Sequence, residues 1–133
     1  MTGPQTISLW TAERANRALP LVRRIADDLV RTYDQWRTLV AKFEVVSIGV
    51  TSAATAEAER LEREVQRAAA DIEDFVKELT ELGVECKSLE NGLFDFPCER
   101  DGRIVYLCWL YGERTVSHWH EVGGGFAGRQ PIE

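Results

Sequence analysis

The chain has 133 residues, with 22 acidic and 16 basic side chains and a formal net charge of −6. Its apolar share of 44% and its charged share of 29% are typical of a folded globular domain and exclude wholesale disorder. The acidic balance argues against a nucleic-acid-binding protein, which would carry a basic surface. Because no stretch approaches the ~18 apolar residues of a membrane-spanning helix, we expect one domain over residues 1–133, with neither nucleic acid nor a membrane as its partner.

Two further features bear on the cellular compartment. Cys86, Cys98 and Cys108 form an odd set without a CxxC motif, which is typical of reduced thiols in a cytoplasm. Residues 1–10 contain neither a basic residue nor an apolar core, so they are not expected to be a signal peptide. The sequence therefore predicts a cytoplasmic protein.

Apolar residues recur at alternating intervals of three and four in two long segments of the first half. The first set is Ala15, Leu19, Val22, Ala26, Leu29, Tyr33, Trp36, Val40 and Phe43. The second set is Ala58, Leu61, Val65, Ala68, Ile72, Phe75, Leu79 and Leu82. A stripe with an average spacing of about 3.5 residues is the seam of helices packed side by side. These sets predict a long antiparallel, coiled-coil-like hairpin of two helices over about residues 11–83.

Local chemistry indicates where the two helices begin and end. Thr11 and Thr55 are suitable N-caps for the first and second helix. Residues 45–52 are the expected connection, and Gly83 lies where a left-handed C-terminal cap belongs. Pro20 lies about two turns inside the first helix, where it removes a backbone donor and is expected to kink the helix.

A second apolar set flanks the seam of the hairpin. Its members are Ala18, Ile25, Leu39, Ala69 and Val76. Two helices alone cannot bury so wide an apolar face, so the C-terminal region, a second copy of the chain, or both must cover it. We therefore predict a homo-oligomer, with a symmetric dimer that forms a four-helix bundle as the expected form.

After the hairpin the apolar period changes to about two residues, which is typical of strands. Residues 93–96 form a predicted strand that ends at Pro97, and residues 115–120 form another. Between them, residues 104–111 are apolar on both faces, as in a central strand. The prediction is an α+β fold, in which a small three-stranded antiparallel β-meander and a glycine-rich tail, about residues 84–133, dock on the hairpin.

Short motifs spread along the chain match a known family. They are Ala15-Asn16-Arg17-Ala18-Leu19-Pro20, Gly92-Leu93-Phe94-Asp95-Phe96-Pro97, Leu107-Cys108-Trp109, Gly112-Glu113, Trp119-His120 and Gly125-Phe126-Ala127-Gly128-Arg129-Gln130-Pro131. Together they resemble a prokaryotic family catalogued as domain of unknown function 2203, over almost the whole chain. The resemblance implies a small bacterial or archaeal cytosolic protein with this hairpin-plus-sheet layout. It implies no activity, substrate or cofactor.

The two histidines of the chain, His118 and His120, form a His-x-His motif. On a strand both imidazoles point to the same side, which suits two nitrogen ligands of zinc or a similar divalent ion. Asp95, Glu113 and Glu121 are the nearest carboxylates, and the predicted metal ligands are His118, His120, Asp95 and Glu113. Such a site would be open, of the catalytic type, with one zinc, manganese or iron ion.

A packed core explains the same residues without a metal. One histidine would then be exposed, and the other would hydrogen-bond a carboxylate. The family motif includes His120 but not His118, which favours a site built around His120. Asp95 lies between two aromatic residues, so it either faces solvent or is buried against Arg129, His120 or a metal, because an unpaired buried carboxylate is costly.

The tail and the central cysteine each allow two interpretations. Residues 123–128 match G-x-G-x-x-G, but only five residues follow them, so we expect no dinucleotide site. Their amides beside Arg129 could bind an anion; alternatively, Arg129 pairs with a carboxylate and Phe126 folds back onto the core. Cys108 is expected to be a buried structural thiol, and the alternative is a nucleophile paired with a histidine.

Two functional hypotheses follow from these residues. The first is a self-associating helical-hairpin protein with a polar pocket between sheet and helices, formed by Asp95, Glu113, His120 and Arg129 and holding a divalent metal. Any enzymatic activity would be metal-assisted hydrolysis of a small molecule that the sequence does not specify. The second is a non-catalytic protein-interaction module in which the polar cluster is structural.

Overall fold

A computed structural model describes residues 9–132 of the chain. The predicted α+β class is confirmed, since two long helices precede an antiparallel sheet. The elements are α1 (Ala12–Val46), α2 (Ser52–Leu82), β1 (Glu85–Ser88), β2 (Leu93–Arg100), β3 (Arg103–Leu110), β4 (His118–His120) and β5 (Gln130–Pro131). The five strands lie in sequence order. We predicted from residues 1–10 that the chain has no signal peptide; of these, residues 1–8 lie outside the described residues.

Threonine side chains cap both helices at their N-termini. The Thr11 hydroxyl accepts a hydrogen bond from the Arg14 amide, as predicted for the start of α1. The start of α2 was predicted four residues too late, because Thr51 rather than Thr55 is its N-cap. The Thr51 hydroxyl accepts from the Ala54 amide at 3.0 Å, whereas the Thr55 hydroxyl donates to the Thr51 carbonyl at 3.1 Å from inside the first turn.

The other two helix predictions concern Gly83 and Pro20. Gly83 is the C-cap of α2 with a left-handed φ of 90°, as predicted. α1 continues through Pro20 to Val46, because a proline removes a single backbone donor while the remaining hydrogen bonds of a long helix persist. Neither long helix in the described part of the chain has the length and apolar character that crossing a bilayer requires.

Most of the hairpin seam is buried in the half that the sheet covers, although Leu82 at the end of α2 is exposed. Leu19, Val22 and Leu29 of α1 and Leu79 of α2 belong to the main core. Beyond Leu29 the seam residues of α1 are only partly buried, because the two helices pack there on each other alone. Ile25 of the flanking set is buried within the chain itself.

The sheet has two more strands than the three predicted. β1 and β5 are four and two residues long, too short to show an alternating pattern. The predicted end of a strand at Pro97 is wrong, since β2 continues to Arg100. The Pro97 carbonyl accepts from the Trp10 amide at 2.7 Å, on the side away from β3. The proline nitrogen faces that same side, so the ladder with β3 loses no hydrogen bond.

The two faces of the sheet differ in chemistry. Phe94, Phe96, Leu107 and Trp109 join the helices in the main core. Because successive strand residues point to opposite sides, Asp95 lies on the other face. The polar residues predicted for a pocket between sheet and helices are thus on the outer face, where the glycine-rich segment after β4 covers them.

Candidate metal centre

Asp95 on β2 is the most deeply buried acidic side chain of the outer face, with 1% of its surface exposed. Its Oδ2 lies 3.0 Å from Nε2 of His120, whose own exposure is 3%. The two residues come from β2 and β4, so their side chains meet across the intervening strand β3. Of the alternatives for Asp95, the structure thus shows the buried one, with His120 as the partner.

The second ring nitrogen of His120 defines which tautomer the site holds. Nδ1 lies 2.7 Å from the backbone carbonyl of Glu121, and a carbonyl can only accept a hydrogen bond. Nδ1 therefore carries a proton, so Nε2, the nitrogen beside Asp95, is the one that is available to bind a metal. This backbone contact is the one that commonly orients metal-binding histidines.

Cys108 on β3 provides a third donor at the same place. Its backbone lies directly opposite Asp95 in the β2–β3 ladder, and its thiol is buried. One ligand atom from each of Asp95, Cys108 and His120 lies within 4.8 Å of the others. In the described part of the chain these residues are the one group of three such donors brought so close together.

Burial sets the electrostatics of this triad. It raises the pKa of Asp95, an effect that the contact with His120 partly offsets. Burial, together with the neighbouring Asp95 carboxylate, raises the pKa of the Cys108 thiol to about 12. Asp95 Oδ1 is buried without a hydrogen-bond partner among the residues described. An unsatisfied oxygen of this kind is costly, and a cation between the three donors would satisfy it.

The other predicted site residues form a neighbouring cluster. Glu113 accepts from the Arg129 guanidinium and from the Leu110 amide, both at 2.7 Å. His118 Nδ1 lies 3.8 Å from Glu113 Oε2. The structure therefore divides the predicted ligand set, because Arg129 and the β3 backbone already hold the Glu113 carboxylate away from the triad.

Arg129 was predicted to bind an anion or to pair with a carboxylate of the chain. Its guanidinium contacts Glu113 and also donates to the Cys108 carbonyl at 3.3 Å. The side chain is nine-tenths buried. The observed partner is thus a carboxylate of the chain, and the contact fastens the tail over β3.

A cavity of about 330 Å³ lies beside the triad. It is lined by Asp95, Cys108 and His120 together with Lys87, Ser88, Leu93, Val122, Gly123, Gly125 and Phe126. All three donors border this space, so a metal held by them would face it. The cavity is large enough for a small molecule beside the metal.

The sequence predicts Cys108 to be a structural thiol. The third donor of the triad is therefore absent from the predicted metal ligands. The alternation along residues 104–111 places Cys108 on the same face as Tyr106. The signal that would have identified Cys108 is the cross-strand register that sets it opposite Asp95. The sequence of a single strand does not specify that register.

The chain was compared with known protein families, with curated proteins and with solved structures. A family model described as "Uncharacterized conserved protein (DUF2203)" matches residues 8–132. No curated protein and no solved structure matches the chain.

Proposed function

Since the chain belongs to the uncharacterized DUF2203 family, its function has to be inferred from its own residues, and we propose that it binds one divalent metal ion through Asp95, Cys108 and His120. The observation that carries this proposal is the convergence of three buried donors within 4.8 Å. Asp95 Oδ1, which is buried without a hydrogen-bond partner among the described residues, is an oxygen that such an ion would satisfy.

Zinc is the metal that this donor set favours. Thiolate, imidazole and carboxylate are its three common ligands, whereas manganese prefers sites made of oxygen donors. Three protein ligands leave a fourth position open towards the cavity, as in catalytic zinc sites. A zinc ion in such a site lowers the pKa of bound water, so hydrolysis of a small molecule is the reaction class we propose for the cavity. A cytoplasmic location is proposed with it, since a reducing compartment keeps the Cys108 thiol available.

Metal titration of two histidine variants tests the proposal. The chelator-treated protein should take up one zinc ion per chain, and isothermal titration calorimetry measures this uptake. His120→Ala should reduce zinc affinity at least ~100-fold, because a ligand is lost. His118→Ala is the matched control, since His118 lies beside Ser117 and Glu113, outside the triad. Equal zinc affinity in both variants, or no uptake by the wild type, would refute the site.

Self-association through the hairpin is a second proposal. The apolar side chains Val45, Ile48 and Val50 at the hairpin turn are 70%, 80% and 96% exposed. The adjoining seam residues, such as Trp36 and Phe43, are only partly buried. Apolar surface left open on a two-helix unit favours docking of a second hairpin into a four-helix bundle. In this arrangement the protein is a dimer held together by its hairpins.

A further inference from the structure

We infer that the cavity beside the triad binds a small organic acid, whose carboxylate takes the open metal position next to Lys87 and whose apolar part lies under Phe126. This inference rests on the proposed metal site and adds the chemical class of its ligand. It is carried by the charges, the apolar wall and the size of the cavity.

The charges of the cavity favour an anion. Among its ten lining residues only Asp95 and Lys87 are charged at neutral pH. A divalent ion would neutralise the charges of Asp95 and of the Cys108 thiolate, which leaves the Lys87 ammonium as the net charge of the lining. Glu85, which does not line the cavity, also forms an ion pair with this ammonium, with its Oε1 3.1 Å from Lys87 Nζ. A ligand of single negative charge therefore matches the site.

The charge count also favours a carboxylate over a phosphate dianion. Arg129 approaches the triad through the Cys108 carbonyl, but its guanidinium is already paired with Glu113. The Ser88 hydroxyl accepts a hydrogen bond from the Asn91 amide, so its own proton is free to be donated into the cavity. One ammonium, one hydroxyl and one metal position suit the two oxygens of a carboxylate.

The remaining wall of the cavity is apolar. Leu93 and Val122 line it, and Phe126 stands above it with 53% of its surface exposed. Gly123 and Gly125 have no atom within 4 Å of the place where a Cβ would stand, so the segment before Phe126 leaves space for a ligand body. In about 330 Å³ this wall fits a short aliphatic chain or a single aromatic ring.

Cobalt-loaded protein provides the test, because different absorption bands of cobalt report coordination by Cys108 and binding of the fourth ligand. A thiolate-to-cobalt charge-transfer band would show that Cys108 is a ligand, and the visible d–d bands respond to the fourth ligand. Sodium benzoate should shift the d–d bands saturably while the charge-transfer band stays. Lys87→Met should weaken benzoate binding roughly tenfold, whereas Lys77→Met, on exposed α2, is the control and should leave it unchanged.

The possible failures are distinguishable. A charge-transfer band with d–d bands that benzoate does not move would overturn the organic-acid inference and leave the metal site standing. Tighter binding of inorganic phosphate than of benzoate would overturn the choice of a carboxylate. Absence of the charge-transfer band in the wild type would refute the metal site, and with it the ligand.

Discussion

Asp95 is the one buried acidic residue in the described part of the chain, and a buried carboxylate is costly unless it is paired. The carboxyl is 1% exposed, one oxygen meets His120, and the other lacks a partner in the described chain. Burial raises its pKa, which means that the ionised form is less favourable in the folded, metal-free protein than it is in water. The metal-free and metal-bound proteins should therefore respond differently to a neutral replacement.

Asp95→Asn separates these two states. In the presence of a chelator the substitution should change the free energy of unfolding by less than about 1 kcal/mol, because loss of the contact with His120 is offset by removal of a buried charge. With zinc at 100 times its dissociation constant, the wild type should gain about 2.7 kcal/mol and the variant almost nothing. Urea unfolding with and without zinc measures both quantities. An equal gain in both proteins would contradict a role for Asp95 as a ligand.

Cys108 predicts a pH dependence of the metal-free protein. Burial raises its pKa from an ordinary value of 9.0 to about 12. A group whose folded pKa is raised binds its proton more tightly when folded, so its contribution is complete below pH 9 and is lost as the pH rises towards 12. The urea midpoint of the chelated wild type should therefore fall more steeply between pH 8 and about 10.5 than that of Cys108→Ala. Parallel curves for the two proteins would show that the thiol is not buried.

At the scale of single elements, the N-cap of α2 gives a matched pair of substitutions. Thr51→Ala removes the hydroxyl that accepts from the Ala54 amide and should cost about 1 kcal/mol. Thr55→Ala changes the same residue type one turn later, inside the helix, where alanine is a better helix former. Hydrogen exchange of the first amides of α2 should accelerate in Thr51→Ala alone. Faster exchange in Thr55→Ala instead would restore the N-cap predicted from the sequence.

How much of each element the sequence predicts depends on whether its pattern is local. The helical hairpin and the Gly83 cap follow from spacing and backbone chemistry within one segment, and both are confirmed. The predicted end of β2 at Pro97 is wrong because a proline breaks a strand only where its nitrogen faces a partner strand, and the Pro97 nitrogen faces away from β3. The triad depends on the register among β2, β3 and β4, which no single strand encodes. Asp95 and His120 were thus predicted by residue type, and Cys108 was not.

At the scale of the whole molecule, the sheet covers only one half of the hairpin. The other half leaves Ile48 and Val50 exposed at the turn, which is the surface proposed for self-association. Ile48→Asp should convert a dimer into a monomer, since a charge would enter the apolar contact. Analytical ultracentrifugation measures this, with Thr38→Asp on the exposed side of α1 as the control. A wild-type protein that sediments as a monomer at all concentrations would contradict the dimer.

The most direct test of the metal centre is X-ray absorption at the zinc edge. The protein is first freed of metal with a chelator and then loaded with one equivalent of zinc. We expect one sulfur ligand at about 2.3 Å and nitrogen or oxygen ligands at about 2.0–2.1 Å. The sulfur shell should disappear in Cys108→Ala. A zinc ion surrounded by nitrogen and oxygen alone in the wild type would contradict the assignment of Asp95, Cys108 and His120 as its ligands.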